Sequence, residues 1–142
     1  VVEGANGGLD TNYEGKAQAA VKALAEDGYD FVYIHVEAPD EMGHQGSAER
    51  KVKSIEYLDQ RVICLVEEGL TQAGLDHRML IMPDHPTPVH LRTHTDSPVP
   101  YLLYDSTAPQ AGQWRYQEDE AEESKNVVSY GWDMMERLFQ EK

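Results

Sequence analysis

Phe31-Val32-Tyr33-Ile34-His35-Val36 runs without a break into Glu37-Ala38-Pro39-Asp40-Glu41-Met42-Gly43-His44-Gln45-Gly46. The first six residues are a nearly continuous apolar run, the pattern of a parallel strand covered on both faces. Pro39 keeps the chain from continuing as a central strand, and Gly43 and Gly46 allow a tight path. A polar loop carrying Asp40 and His44 is therefore expected just past the carboxyl end of a strand. Open α/β sheets bind their ligands there. A hard carboxylate one turn from a neutral imidazole suits Zn²⁺ or Mn²⁺ better than Ca²⁺. On its own, Asp-x-x-x-His is more often a solvated turn than a metal site.

Outward from this stretch, strands and helices alternate. Thr11 to Asp27 reads as a helix, with Thr11 and Glu14 spaced as a capping box and Ala17, Ala20, Val21 and Leu24 on one face. Gly28 stops it. Ser47 to Gly69 reads as a second helix, striped by Val52, Ile55, Leu58, Val62 and Leu65, with Glu49, Arg50, Lys53 and Glu56 largely off the stripe. Met79 to Met82 is an expected strand ending at Pro83, and Val99 to Tyr104 another. The acidic run Glu118 to Glu123 is most simply a solvated loop. Ser124 to Gln140 reads as an amphipathic helix using Val127, Val128, Met135, Leu138 and Phe139. The alternation predicts an α/β fold: a mostly parallel sheet with helices on both faces. No internal repeat or linker divides residues 1–142, so one domain, or part of one, is expected.

The strand-end rule brings in a second group. Asp84 and His85 follow the expected strand Met79–Met82 and are flanked by Pro83 and Pro86, which stiffen the backbone. They are expected on the same rim of the sheet as Asp40 and His44. His94, in the polar loop Thr93-His94-Thr95-Asp96-Ser97-Pro98, would be assigned no role alone. Together the three loops offer five ligand-type residues, Asp40, His44, Asp84, His85 and His94. That is the pattern of a binuclear site, in which two cations roughly 3.5–4 Å apart clamp a phosphoryl group.

Bulk properties narrow the partners. The chain has 142 residues, a formal net charge of −14, 40% hydrophobic and 27% charged residues, the balance of an ordinary soluble domain. The charge argues against nucleic acid and anionic membrane as partners. It would also repel a phosphorylated small molecule, unless bound cations invert the local field. No apolar run approaches the roughly 20 residues that span a bilayer. The single cysteine, Cys64, excludes an internal disulfide, and its apolar neighbours suggest a buried thiol in the cytoplasm. The opening Val1-Val2-Glu3-Gly4-Ala5-Asn6-Gly7-Gly8 reads as a strand entering a Gly-rich turn, the expectation being a chain cut from a longer one.

The order Ala38-Pro39-Asp40-x-x-Gly43-His44-x-Gly46, then Asp84-His85, then His94-Thr95-x-x-Pro98-Val99-Pro100 resembles the cofactor-independent phosphoglycerate mutases. The likeness is to their archaeal-type branch, within the alkaline phosphatase superfamily. Gly4-Ala5-Asn6-Gly7 and Thr11-Asn12-Tyr13-Glu14-Gly15-Lys16 are similar to that branch too, so the resemblance runs from about Gly4 to Tyr104. It implies an alkaline phosphatase-like fold, of which this chain is a C-terminal segment. It implies two divalent metal ions, Mn or Zn, with Mg or Co as alternatives. Asp40, His44 and His94 match the ligands of one ion, and Asp84 and His85 match two ligands of the other. The family's nucleophilic serine and a further aspartate ligand lie upstream, as does an inserted domain holding substrate arginines, and none is found here. No catalytic residue is therefore assigned in this chain.

The implied activity is interconversion of 3- and 2-phosphoglycerate in glycolysis through a phosphoserine intermediate. A homoserine kinase-like phosphotransfer, a phosphatase, and a non-catalytic metal-binding fragment are the alternatives, and self-association of the fragment is expected as well. The sequence departs from the family pattern at Ser97, where Asp or Asn usually precedes Pro-Val-Pro, and at Asn6, where Thr is usual. Elsewhere, His35 is expected as a hydrogen-bonded core residue, and His77 and His90 as solvent-facing. Lys16 and Arg92 are expected on the surface, and Trp114 and Trp132 in packing roles.

Overall fold

The computed structural model describes residues 2–140, which fall into two units. The first is Val1–Leu75 with Thr87–Thr95, and the second is Asp76–Pro86 with Asp96–Lys142. Each unit is thus discontinuous along the chain. Val1, in the expected opening strand, lies outside the described residues. From Val2 onward that stretch is turns and bends, not a strand.

In the first unit, α1 spans Tyr13–Ala25. Its N-cap is Asn12, whose side chain accepts from Gly15 N–H at 2.9 Å. The capping box expected on Thr11 does not form. Thr11 is buried, and its hydroxyl accepts instead from Asn6 N–H at 3.0 Å, which ties down the opening turn. Tyr13, Ala17 and Ala20 are buried on one face of α1.

The long helix expected over 47–69 is broken in register. Ser47 caps α3, Ala48–Leu58. A π-helical turn, Asp59–Ile63, leads into α4, Cys64–Gln72. In that turn Cys64 N–H donates to Asp59 C=O, so one residue more than an α-turn is accommodated. The inserted residue rotates everything after it, and the expected stripe does not stay on one line. Val52 and Ile55 are 56% and 50% exposed. The buried set is Ser54, Val62, Val66 and Leu70. The last three face α1, and a Cβ added at Gly69 would lie 2.8 Å from a Val21 methyl. Arg61, inside the π-turn, makes a bidentate ion pair with Glu14 at 2.5 and 2.9 Å. Its guanidinium also lies 4.8 Å from the ring centroids of both Tyr13 and Tyr57. Cys64, expected to be buried, is exposed.

Phe31–Val36 is extended but belongs to no strand ladder among the described residues. Phe31, Tyr33 and His35 are exposed and Val32, Ile34 and Val36 half-buried. The expected burial on both faces is therefore absent here. A covered parallel strand needs hydrogen-bonded neighbours on both edges, and the two strands formed among the described residues, Arg78–Ile81 and Leu102–Asp105, belong to the other unit. His35 is no core residue: its ring faces Glu37 at 3.5 Å, and its carbonyl accepts from Lys16 Nζ at 2.8 Å.

In the second unit, β1, Arg78–Ile81, pairs with β2, Leu102–Asp105. The ladder is antiparallel, with Arg78 opposite Asp105 and Ile81 opposite Leu102. The parallel pairing expected from the alternation of elements is not what these strands adopt. The Arg78 guanidinium bonds Asp105 at 3.1 Å and donates to the Leu138 carbonyl at 3.2 Å, tying the last helix to the strand. His77, expected to face solvent, is half-buried beside Tyr104. The acidic run expected as a loop is α5, Glu118–Glu123, with Glu118, Asp119 and Glu120 in the first turn, where they complement the helix dipole. The expected helix over 124–140 is only α6, Asp133–Phe139. Lys125, at φ 56°, interrupts it upstream. Val127 is 74% exposed, and Trp114 and Trp132 are exposed rather than packed, with Trp132 stacked on Tyr130 at 4.6 Å.

Candidate metal centre

The stretch expected as a loop carrying Asp40 and His44 is a short helix, α2, Ala38–His44. Pro39 falls in the first turn, where its missing N–H costs nothing. Helical spacing puts Asp40 and His44 at i and i+4, on one face. The helix closes with two hydrogen bonds, Gly46 N–H to Gly43 C=O at 2.9 Å and Ser47 N–H to Met42 C=O at 3.2 Å. This is a Schellman closure, which needs a left-handed residue; Gly46 supplies it at φ +70°. Gly43 is required for a different reason. It is buried against Thr87, and a Cβ there would lie 2.6 Å from the Thr87 carbonyl oxygen.

That close approach brings the loop Thr87–Thr95 over α2. His94 arrives on this loop. Its Nε2 lies 3.1 Å from His44 Nε2 and 3.4 Å from Asp40 Oδ1, and His44 Nε2 is 3.3 Å from Asp40 Oδ2. All three ligand atoms fall within 4.8 Å of one another. A tetrahedral cation with bonds of about 2.0–2.1 Å spaces its ligands about 3.4 Å apart, so the donor set fits one divalent ion in both chemistry and spacing.

The surroundings of the cluster are specific. His44 Nδ1 lies 3.0 Å from the Arg92 carbonyl. A carbonyl can only accept, so Nδ1 carries the proton and Nε2 offers its lone pair to the cluster. Arg92 holds a left-handed backbone, φ 56°, which directs this carbonyl at the ring. The Thr87 hydroxyl donates to Asp40 Oδ1, and Lys51 Nζ donates to the Thr87 carbonyl at 2.6 Å. The Asp40, His44 and His94 side chains are 30%, 36% and 51% exposed, leaving one side of the cluster open to further ligands.

Asp84 and His85 belong to the second unit. There they pair with each other: His85 N–H donates to Asp84 Oδ1 at 3.1 Å, and the ring Nε2 is 3.5 Å from Oδ2. The structure thus brings three of the five expected residues to one point and places the other two side by side just after β1. Thr87 and the Arg92 carbonyl were not singled out from sequence for the cluster. Thr87 had a signal, a β-branched hydroxyl locked between Pro86 and Pro88; a backbone carbonyl leaves none.

A carboxylate and two imidazoles spaced for one divalent ion are the donor set of a metalloenzyme, and the chain belongs to the metalloenzyme superfamily, whose family model matches residues 1–127. It is 49% identical over 138 residues to a probable 2,3-bisphosphoglycerate-independent phosphoglycerate mutase of Geobacter sulfurreducens, covering 96% of this chain and 34% of that protein. It is 46% identical over 109 residues to the 2,3-bisphosphoglycerate-independent phosphoglycerate mutase of Methanosarcina mazei, covering 77% of this chain and 27% of that protein. Among solved structures, the PH0037 protein from Pyrococcus horikoshii superposes with a TM-score of 0.71 at 31% identity, over 86% of this chain and 36% of its own. The chain spans between 27% and 36% of the length of these relatives. Among the described residues, no helix is long and apolar enough to cross a membrane.

Proposed function

We propose that this chain provides the metal-binding segment of a 2,3-bisphosphoglycerate-independent phosphoglycerate mutase. The observation that carries the proposal is the convergence of Asp40, His44 and His94 at spacings of 3.1 to 3.4 Å. The similarity to mutases of Geobacter and Methanosarcina supplies the reaction.

In this proposal Asp40, His44 and His94 hold one Mn²⁺ or Zn²⁺ ion, and Asp84 and His85 contribute to a second. Bound cations supply Lewis acidity toward the phosphoryl group and offset a chain charge that otherwise repels a phosphorylated substrate. The residues themselves arrange the donors. Asp40 contributes the negative charge, and His44 is kept in the tautomer whose lone pair faces inward. The nucleophile is expected from a serine outside this chain. Phe31–Val36 is proposed as a strand of a mostly parallel sheet completed outside this chain, and self-association of this segment is the alternative way to cover it.

The test is a coupled assay of 3-phosphoglycerate conversion by the intact protein in Mn²⁺. Turnover that is abolished by chelator and by His44→Ala and His85→Ala is the expected result. Turnover unaffected by chelator, or phosphorylation of homoserine in place of mutase activity, counts against the proposal.

A further inference from the structure

We propose that Thr87 is a positioning residue for Asp40, holding its carboxylate in the orientation that faces both His44 and His94 and so presenting it to a metal ion. The inference rests on the metal-centre reading above and adds a residue outside the donor set. Thr87 is 3% exposed, in a loop whose other residues are largely half-buried or exposed. Its hydroxyl donates to Asp40 Oδ1. A carboxylate on a two-torsion side chain can rotate, exchange its oxygens or chelate with both. A fixed donor on Oδ1 opposes that rotation and keeps Oδ2 3.3 Å from His44 Nε2 while Oδ1 stays 3.4 Å from His94 Nε2.

The donor is itself held on several sides. Thr87 precedes Pro88, which restricts its backbone to extended conformations, and its β-branched side chain is stiff at χ1. Its carbonyl accepts from Lys51 Nζ at 2.6 Å, tying the loop to α3. Gly43 lies against its backbone and methyl group, closely enough that a Cβ there would meet Thr87 Cγ2 at 2.9 Å. A hydroxyl packed so tightly has little freedom to follow a wandering carboxylate, so the carboxylate must follow it. Outer-shell donors of this kind commonly alter metal affinity about 10–100-fold.

The experiment is calorimetric titration of Mn²⁺ into the intact protein, alongside unfolding in EDTA to verify folding. Thr87→Val keeps the shape and removes the donor, and its Mn²⁺ dissociation constant should rise about 10–100-fold. Thr87→Ser restores the donor and should bind within a few-fold of the unmutated protein. Lys51→Met, which releases the Thr87 carbonyl, should give a smaller loss and carries the test if Thr87→Val does not fold. Unchanged affinity in Thr87→Val overturns the proposal, as does equal weakening by Val and Ser, which would mean that shape rather than the hydroxyl matters. Asp40→Ala separates the two levels. If it binds Mn²⁺ as well as the unmutated protein, or if neither binds, the metal centre itself falls and the role of Thr87 with it.

Discussion

Gly43→Ala sets two effects of opposite sign against each other. In a helix, replacing Gly by Ala is favourable by about 0.8–1.0 kcal/mol. Near the end of a seven-residue helix such as α2 the gain lies toward the lower figure. Against it, the new methyl would sit 2.6 Å from the Thr87 carbonyl oxygen, 2.9 Å from its Cγ2 and 3.1 Å from its Cβ. The first contact is with backbone and cannot be relieved by a rotamer change. Overpacking of this kind costs about 1–3 kcal/mol. Pushing Thr87 away also stretches its bond to Asp40, and hydrogen bonds to charged groups contribute about 1.5–3 kcal/mol. The clash wins, and a net loss of about 1–3 kcal/mol is expected. For a chain of this size that is a fall in melting temperature of about 3–10 °C. Thermal unfolding in EDTA measures the first effect and Mn²⁺ titration the second, with affinity falling several-fold. Gly69→Ala is the control. Its methyl meets the Val21 side chain at 2.8 Å, away from the cluster, so it lowers stability and leaves Mn²⁺ affinity unchanged. A Gly43→Ala protein that melts at or above the unmutated one with the same affinity would refute the reasoning, because helix propensity would then have prevailed.

Three further outcomes are expected. Saturating Mn²⁺ should raise the melting temperature relative to EDTA, by the equivalent of about 2.7 kcal/mol at a hundred times the dissociation constant, and Asp40→Ala should abolish the difference. The Arg61 guanidinium, hydrogen-bonded to Glu14, holds that carboxyl below the usual carboxylate range. Its contribution is therefore present above the unfolded value of about 4.3 and is lost as pH falls below it. With side chains 41% and 36% exposed, the pair adds at most about 1 kcal/mol, so Glu14→Gln should be slightly less stable at pH 7 and indistinguishable in strong acid. Partial desolvation, and then the charges of Asp59, Glu68 and Glu67, push the Cys64 thiol up. Iodoacetamide should therefore modify one site, and at every pH through the thiol titration more slowly than it modifies free cysteine; a rate matching free cysteine at pH 8 would contradict this.

How much of this was readable beforehand follows from the range over which each signal acts. The extent of α1 is legible to within two residues at each end, because Ala-rich helical periodicity is local. Its cap was misplaced by one position, since both Thr11 and Asn12 are capping types and only the packing of Asn6 onto Thr11 decides between them. The π-turn at Asp59–Ile63 leaves no periodicity signal, since the apolar residues on either side fit an α-helical stripe well enough to hide the extra residue. The antiparallel pairing of β1 with β2 is a tertiary choice that alternation of elements does not specify. At the cluster, Asp40 and His44 are near neighbours in sequence, and His94 is grouped with them only by the order of motifs. Their mutual distances come from loop packing at Gly43 and Thr87, and the fixed tautomer of His44 comes from a main-chain carbonyl that no side-chain pattern encodes.

The discontinuity of the first unit has a consequence for how the protein is made. His44 and His94 are 50 residues apart in the chain, and Asp76–Pro86, which belongs to the other unit, is threaded between them. At a synthesis rate of about 5–20 residues per second, roughly 3–10 s separate the emergence of the first imidazole from that of the second. Throughout that interval α2 is out of the ribosome with its carboxylate and one histidine, and without the loop that closes over Gly43. β1 is also waiting, since β2 follows still later. The nascent chain therefore passes through a window in which neither unit can close, and Asp40 and His44 are exposed as half of a donor set before His94 joins them.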